Sequence, residues 1–175
     1  MPGIDECLLF QPLSIGVLTI GGAGFLDKNA ADNILEAGVS SAGHKLSSQA
    51  FIKNDGKVIS DQIKRWARGG ELDVILTMGG TGLSETDVAI EVISPLFEKR
   101  LDGFSRVFHQ LNLKSIGVST LHFRARAGLI DGVLVFCLPG SPHIVRLVWN
   151  ELLRDALDSR YRPASLVDLF PRLLE

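Results

Sequence analysis

Apolar runs and amphipathic stretches alternate along most of this chain, and the alternation predicts its elements. Leu13 to Ile20 is apolar and rich in β-branched residues, the signature of a buried strand. Gly21-Gly22-Ala23-Gly24 ends it, and Ala30 to Ala42 follows with Ile34, Leu35 and Val39 on one helical face. Leu46 to Ile52 predicts a second strand, closed by the turn residues Asn54-Asp55-Gly56. Val58 to Arg68 is amphipathic through Val58, Ile59, Ile63, Trp66 and Ala67, and Gly69-Gly70 stops it. Leu72 to Met78 is a third strand. Strand, helix, strand, helix, strand with short connections is the pattern of a parallel sheet with right-handed crossovers. Both glycine-rich turns then fall at the carboxyl edge, where open α/β sheets bind ligands.

The second half changes character. A helix after Asp87 runs to about Ile93 and meets Pro95, and Phe104 to Leu121 carries a mostly helical pattern. Ala125–Ile130 and Val133–Leu138 flank Asp131-Gly132, a strong hairpin signal, so an antiparallel pair joins the sheet late. Pro139-Gly140-Ser141-Pro142 opens a long helix with Ile144, Val145, Val148, Leu152 and Ala156 on one stripe. Residues 1–12 read as an irregular lead-in, 13–162 as one α/β domain, and 163–175 as an extended arm.

Composition narrows the function classes. The 175 residues are enough for one domain with a full core. Lys and Arg number 18 against 20 Asp and Glu, a net charge of -2, so the basic footprint of a nucleic-acid surface is missing. His44, His109, His122 and His143 show no metal-ligand spacing. Cys7 and Cys137 form no disulfide framework, and Cys137 is expected to be a small buried hydrophobe. No stretch has the length of a membrane span, and Leu8-Leu9-Phe10 lacks the basic flank of a signal peptide. The expectation is a soluble, cytoplasmic protein.

The chemistry concentrates at Ile75 to Asp87. Gly79, Gly80 and Gly82 remove side chains that would keep a ligand from the backbone, and Thr81 and Ser84 add hydroxyls. Successive N–H groups in such a turn can cradle a phosphate or carboxylate. Asp87 is then an acid beside an anion, which a cation or a proton between them would explain; as a helix N-cap it would need neither. Gly140 and Ser141 repeat the backbone-and-hydroxyl theme at a helix start. Glu91 lies one helical turn beyond Asp87. Arg124 is either a bidentate phosphate clamp or a surface ion pair. His143 is expected to be solvated, and Trp66 and Trp149 to belong to core or interface rather than to a stacking site.

Together, Gly79-Gly80-Thr81-Gly82-Leu83-Ser84-Glu85-Thr86-Asp87 and Leu138-Pro139-Gly140-Ser141-Pro142 resemble the MoaB/Mog family of molybdenum cofactor biosynthesis. Pro95-Leu96-Phe97, Gly103-Phe104, Ile116 to Leu121 and Arg124 extend the likeness, which is closer to MoaB and covers roughly Leu13 to Arg162. It implies a three-layer α/β/α fold, mostly parallel with the late hairpin, that binds molybdopterin, a pterin with a dithiolene and a terminal phosphate. In active relatives that phosphate is adenylylated with ATP and Mg2+. The resemblance therefore implies substrate contacts at Gly79, Gly80, Thr81, Gly82, Ser84, Pro139, Gly140, Ser141 and Arg124. Asp87 would be the magnesium ligand and a catalytic acid. It also implies a homotrimer or homohexamer, with which an apolar content of 46% agrees.

The chain departs from the family where catalysis is concerned. After the first strand the expected Ser and Asp are Gly21-Gly22, and the helix start reads Asn29-Ala30-Ala31-Asp32 without the usual hydroxyl and glycine. Ile90 and Asp102 stand where prolines are common. The acid that active relatives place after the second strand is matched by Asn54, leaving Asp55 to substitute as the second catalytic acid or to be an ordinary turn residue. An adenylyltransferase and a non-catalytic molybdopterin-binding protein are both consistent with this pattern. An unrelated phosphate- or nucleotide-binding α/β protein is the third alternative.

Overall fold

Both faces of the central strands are apolar because helices cover both. The computed structural model describes residues 1–21 and 30–173. The main sheet is built from β2 (Ser14–Gly21), β3 (Lys45–Lys53), β4 (Val74–Met78), β5 (Lys99–Arg100), β6 (Arg126–Ile130) and β7 (Val133–Leu138). Its spatial order is β3-β2-β4-β7-β6-β5. The first four strands in that order are parallel, and β6 pairs antiparallel with both β7 and β5. Side chains alternate across the pleat. Ile15, Val17, Val74, Leu76, Leu134 and Phe136 enter one core, with α1 (Ala30–Ser41), α4 (Asp102–Ile116) and α5 (Pro142–Val148) above it. Leu18, Ile75, Val135 and Cys137 enter the other, under α2 (Gly56–Arg68) and α3 (Ala89–Ile93).

The expected three-layer fold with its late hairpin is therefore the observed one. At the hairpin, Asp131 has φ 49° and Gly132 φ 78°, both positive as a tight two-residue turn demands. Cys137 is fully buried, and burial pushes its thiol up to about 12.

Three expectations change. The helix drawn through Leu121 stops at Ile116, because Gly117 takes φ 60° and ψ −143° and starts a 3-10 turn over Gly117–His122. The lead-in is not wholly irregular: β1 (Gly3–Ile4) pairs antiparallel with β8 (Tyr161–Arg162). Beyond β8 the expected extended arm folds back as a 3-10 turn and α7 (Phe170–Leu173), with Val167 buried and Leu166 and Phe170 against the first core. Apolar spacing in that short segment is satisfied only by contact with the domain. The predicted turn over Gly22–Gly24 and the Asn29 position lie outside the described residues.

His44, buried at the end of the α1–β3 turn, ties the lead-in to the sheet. Its Nδ1 accepts the Leu13 N–H at 3.2 Å and its ring lies 5.1 Å from that of Phe10. Burial holds its pKa below 6.5, partly offset by the charges of Asp158 and Asp73. The unfolded chain then takes up the proton first, so this contribution to stability is full above 6.5 and declines as pH falls below it. Denaturant unfolding at pH 7.5 and 5.5 should show lower stability at the lower pH. His109 is shifted the same way, by burial and then by Arg126, so His44→Leu should reduce the pH dependence without abolishing it. An unchanged slope in that variant would remove His44 from the account.

Candidate functional site

Strands β2, β4 and β7 deliver their carboxyl ends to one place, and Gly79 stands at the centre of it. Its N–H donates to the Leu138 carbonyl at 3.0 Å, extending the β4–β7 ladder one residue past the strand. It then turns at φ 92°, with its Cα against the Ile20 carbonyl, where any Cβ would collide. Gly140 approaches from the other side at ordinary contact distance: a Cβ built on it would lie 3.5 Å from the Gly79 Cα. The two glycine turns expected to share an edge are therefore in contact.

From Gly80 onward the turn is fixed through its carbonyls. Gly80 C=O accepts the Ala89 N–H at 2.9 Å. Thr81 C=O accepts Arg124 Nε at 2.9 Å, and Gly82 C=O accepts an Arg124 terminal nitrogen at 2.6 Å. In a planar trans peptide the next residue's N–H points opposite to the carbonyl. The N–H groups of Thr81, Gly82 and Leu83 are therefore turned away from Arg124 and Ala89, and none donates to a described residue. Three consecutive free donors on a fixed backbone can hold an anion. Gly79, by contrast, contributes shape, since its own N–H is engaged. Leu83, 69% exposed beside these donors, is an apolar contact that sequence reasoning did not single out.

Arg124 is thus occupied within the protein. The rest of its guanidinium forms a two-pronged pair with Glu91, which holds the Glu91 carboxyl below its ordinary range. Glu91, one helical turn beyond Asp87, faces Arg124. Of the two alternatives for Arg124, the ion pair is present, and it comes with a clamp on the turn that presents the donors.

Asp87 does not cap α3, whose N-cap is Val88 with no side-chain bond. Its Oδ2 accepts both the Ser84 N–H at 3.2 Å and the Ser84 hydroxyl at 2.5 Å. A Cβ on Gly82 would collide with that same oxygen, so this glycine is what lets the carboxylate lie against the turn. Oδ1 accepts no hydrogen bond from a described residue, and the Ser84 and Thr86 hydroxyls are 3.0 Å apart.

The second acid is where structure and expectation part. Asp55 is the N-cap of α2, in extended conformation, its carboxylate accepting the Val58 N–H at 3.0 Å. That is the contact the ordinary-turn alternative predicts. Asn54 faces the glycine turn instead. Its Nδ2 donates to the Thr86 carbonyl, and its Oδ1, closed from solvent without a partner, would lie 2.8 Å from a Cβ on Gly80. Gly80, at φ 64°, leaves that gap.

Across the turn, Pro139 is buried and Ser141 is the N-cap of α5, with no bond from its hydroxyl to the helix. His143 is exposed, as expected, with Nε2 3.0 Å from the Ser115 hydroxyl. Trp149 is buried and Trp66 packs against the second core, so both lie away from the turn. Among the described residues no group of three His, Cys, Asp or Glu side chains could hold a metal. One carboxylate oxygen together with substrate phosphates and water suits magnesium, and Asp87 Oδ1 has the freedom for that role.

A pair of variants separates cap from site. Asp55→Ala should lower stability by about 1 kcal/mol, the usual cost of a lost N-cap, and leave molybdopterin affinity unchanged. Gly82→Val should leave the melting curve cooperative while displacing Asp87 and weakening that affinity about tenfold or more, read by titration. Loss of binding in the first variant, or none in the second, would reverse the two assignments.

Residues 16–159 match the family model described as "Probable molybdopterin binding domain". The chain is 35% identical over 156 residues to Molybdenum cofactor biosynthesis protein B of Escherichia coli strain K12, covering 89% of this chain and 92% of that protein. It is 32% identical over 153 residues to the protein of the same name from Staphylococcus epidermidis, covering 85% and 87%. A crystal structure of Molybdenum cofactor biosynthesis protein B superposes with a TM-score of 0.82 at 30% identity, over 94% of this chain and 97% of that one. The tungsten cofactor synthesizing protein MoaB from Pyrococcus furiosus superposes at 0.73 and 29%, over 83% and 92%. With the glycine turns in contact and the family matched across most of its length, this chain belongs to the molybdopterin-binding MoaB/Mog family of molybdenum cofactor biosynthesis.

Proposed function

We propose that this chain binds molybdopterin in molybdenum cofactor biosynthesis, with the terminal phosphate of the pterin on the N–H groups of Thr81, Gly82 and Leu83. The observation that carries the reading is the state of that backbone: carbonyls held by Ala89 and Arg124, amide donors left without a partner among the described residues. Backbone donors on a fixed frame need no reorganisation when the anion arrives. Ser84, Ser141 and the Gly140 backbone complete the polar rim, and Leu83 offers the apolar body of the ligand a contact.

Adenylyl transfer with Mg-ATP is the second reading, favoured by Asp87, whose free oxygen suits a magnesium ion. Against it stands the neutral amide of Asn54 at the position facing Gly80, with Asp55 engaged on α2. An amide oxygen can accept a hydrogen bond but brings no charge to balance a cation or take a proton. On this basis the chain is a binder whose transfer step is weak or lost. Incubation with molybdopterin, ATP and magnesium, followed by mass spectrometry, should show bound pterin and little adenylylated product. Asn54→Asp should raise product formation at least tenfold, and adding Asp87→Ala should remove the gain while pterin stays bound. A wild type that adenylylates readily, with no increase in Asn54→Asp, establishes the second reading.

The same reading includes a cytoplasmic setting and assembly into a trimer or hexamer. Supporting assembly, Val107 and Leu169 are exposed at a largely apolar cavity of about 570 Å3 between α4, the C-terminal helical run and the tail. Leu113, Val118 and Leu121 add exposed apolar surface at the end of α4 and the turn after it. Sedimentation at micromolar concentration should show a trimer or a multiple of it; monomer alone would refute the assembly.

A further inference from the structure

A second cleft lies between α1 and the helical run that begins with α5, and nothing in the glycine-turn site uses it. Its volume is about 470 Å3, within the usual size of small-molecule pockets. The polar lining comes from Ser41, Arg146, Trp149, Asn150 and Arg154, and the remaining wall is aliphatic, from Ile34 and small residues of α1. Among the described residues no carboxylate lines it.

The helical run is built to gather these groups. Eight residues of regular α-helix overshoot two full turns by about 80°, which would turn Arg154 off the face that carries Arg146. Trp149–Leu153 is instead a π-helical turn, and its slower winding takes up the overshoot. Arg146, Asn150 and Arg154 consequently line one cleft. Arg154 Nε donates to Asp155 at 3.1 Å, which leaves its terminal nitrogens free; Arg146 and Asn150 have no side-chain partner among the described residues.

Trp149 supplies the observation that points to a ligand. The residue is only 3% exposed, and its Nε1–H, which still reaches solvent, has no acceptor among the described residues. An indole N–H of this kind is open to an acceptor from outside the protein. The pyrrole ring packs at Nε1 against Gly38, another cleft residue, where a Cβ would collide with it. The glycine thus leaves room for the indole beside α1.

We infer that this cleft is a separate binding site for a small phosphate monoester, with its phosphate between Arg146 and Arg154 and an oxygen accepting the Trp149 Nε1–H. Two guanidinium groups match a phosphate ester of charge near −2 better than a single carboxylate, and a tetrahedral group offers acceptors to Asn150 and the indole together. The aliphatic wall takes the organic part. Because α1 leaves the carboxyl edge and returns toward the amino edge, its C-terminal half places the cleft away from the Gly79–Asp87 turn.

The test reads the indole directly. The chain has two tryptophans, so its 15N spectrum has two indole N–H signals, and Trp66→Phe assigns the one from Trp149. Titration of the full chain with phenyl phosphate should shift the Trp149 signal saturably and leave that of Trp66 in place. Arg146→Gln with Arg154→Gln should weaken this binding about tenfold or more, while Gly82→Val, which alters the pterin site, should not change it. No saturable shift, or equal affinity in the double variant, overturns the site. Succinate binding as tightly as phenyl phosphate overturns the phosphate assignment. Loss of the shift in Gly82→Val shows that the probe acts from the glycine turn. A Trp149 signal that moves on dilution without any probe shows that a second copy of the chain fills the cleft.

Discussion

The close approach of three strand ends at Gly79 is the constraint on which the rest of this molecule depends. β2 brings the Ile20 carbonyl, β7 the Leu138 carbonyl and the Gly140 turn, and β4 has to pass between them. Only a residue with no Cβ and free access to positive φ fits there. Sheet packing therefore dictates the turn, and the turn dictates where ligand-facing amides emerge. The parallel order β2-β4-β7 is cause and the anion site is consequence.

Arg124 converts that turn into a rigid presenter of charge. Its guanidinium meets two successive carbonyls and the Glu91 carboxylate, so the planar fork is used on three groups at once. The partly exposed pair with Glu91 contributes little stability by itself. Its effect is directional: with the carbonyls held by Arg124, the following amides point away from it. The same logic governs Asp87, which Ser84 holds against the turn and Gly82 allows to come close.

The opposite helical layer shows that a local irregularity can create a site without touching the sheet. The π turn at Trp149–Leu153 costs regular hydrogen bonding and gains a face on which two arginines, an amide and an indole N–H line one cleft. Gly38 on α1 makes room for the indole edge. The two anion-suited sites are built differently, one from backbone amides and one from side chains. The first suits a ligand group common to the family, the second a chemistry particular to these residues.

The sequence by itself determined the layered α/β fold, because continuous apolar strands, buried on both faces, require helices on both sides of the sheet. It also determined the hairpin, through Asp131-Gly132, and the place of the glycine turns at the carboxyl edge. Motif order was enough for the family. Tertiary structure alone decided which of two adjacent residues, Asn54 or Asp55, faces Gly80, since both fit a turn and only the entry angle of α2 makes Asp55 its cap. It decided that Arg124 holds the Thr81 and Gly82 carbonyls, because a partner 42 or 43 residues away leaves no local trace. It folded the tail back onto the core, where a few apolar residues with no long period find contacts. And it turned Arg154 under Arg146, because the winding of a helix over Trp149–Leu153 is set by what packs against it rather than by its own composition.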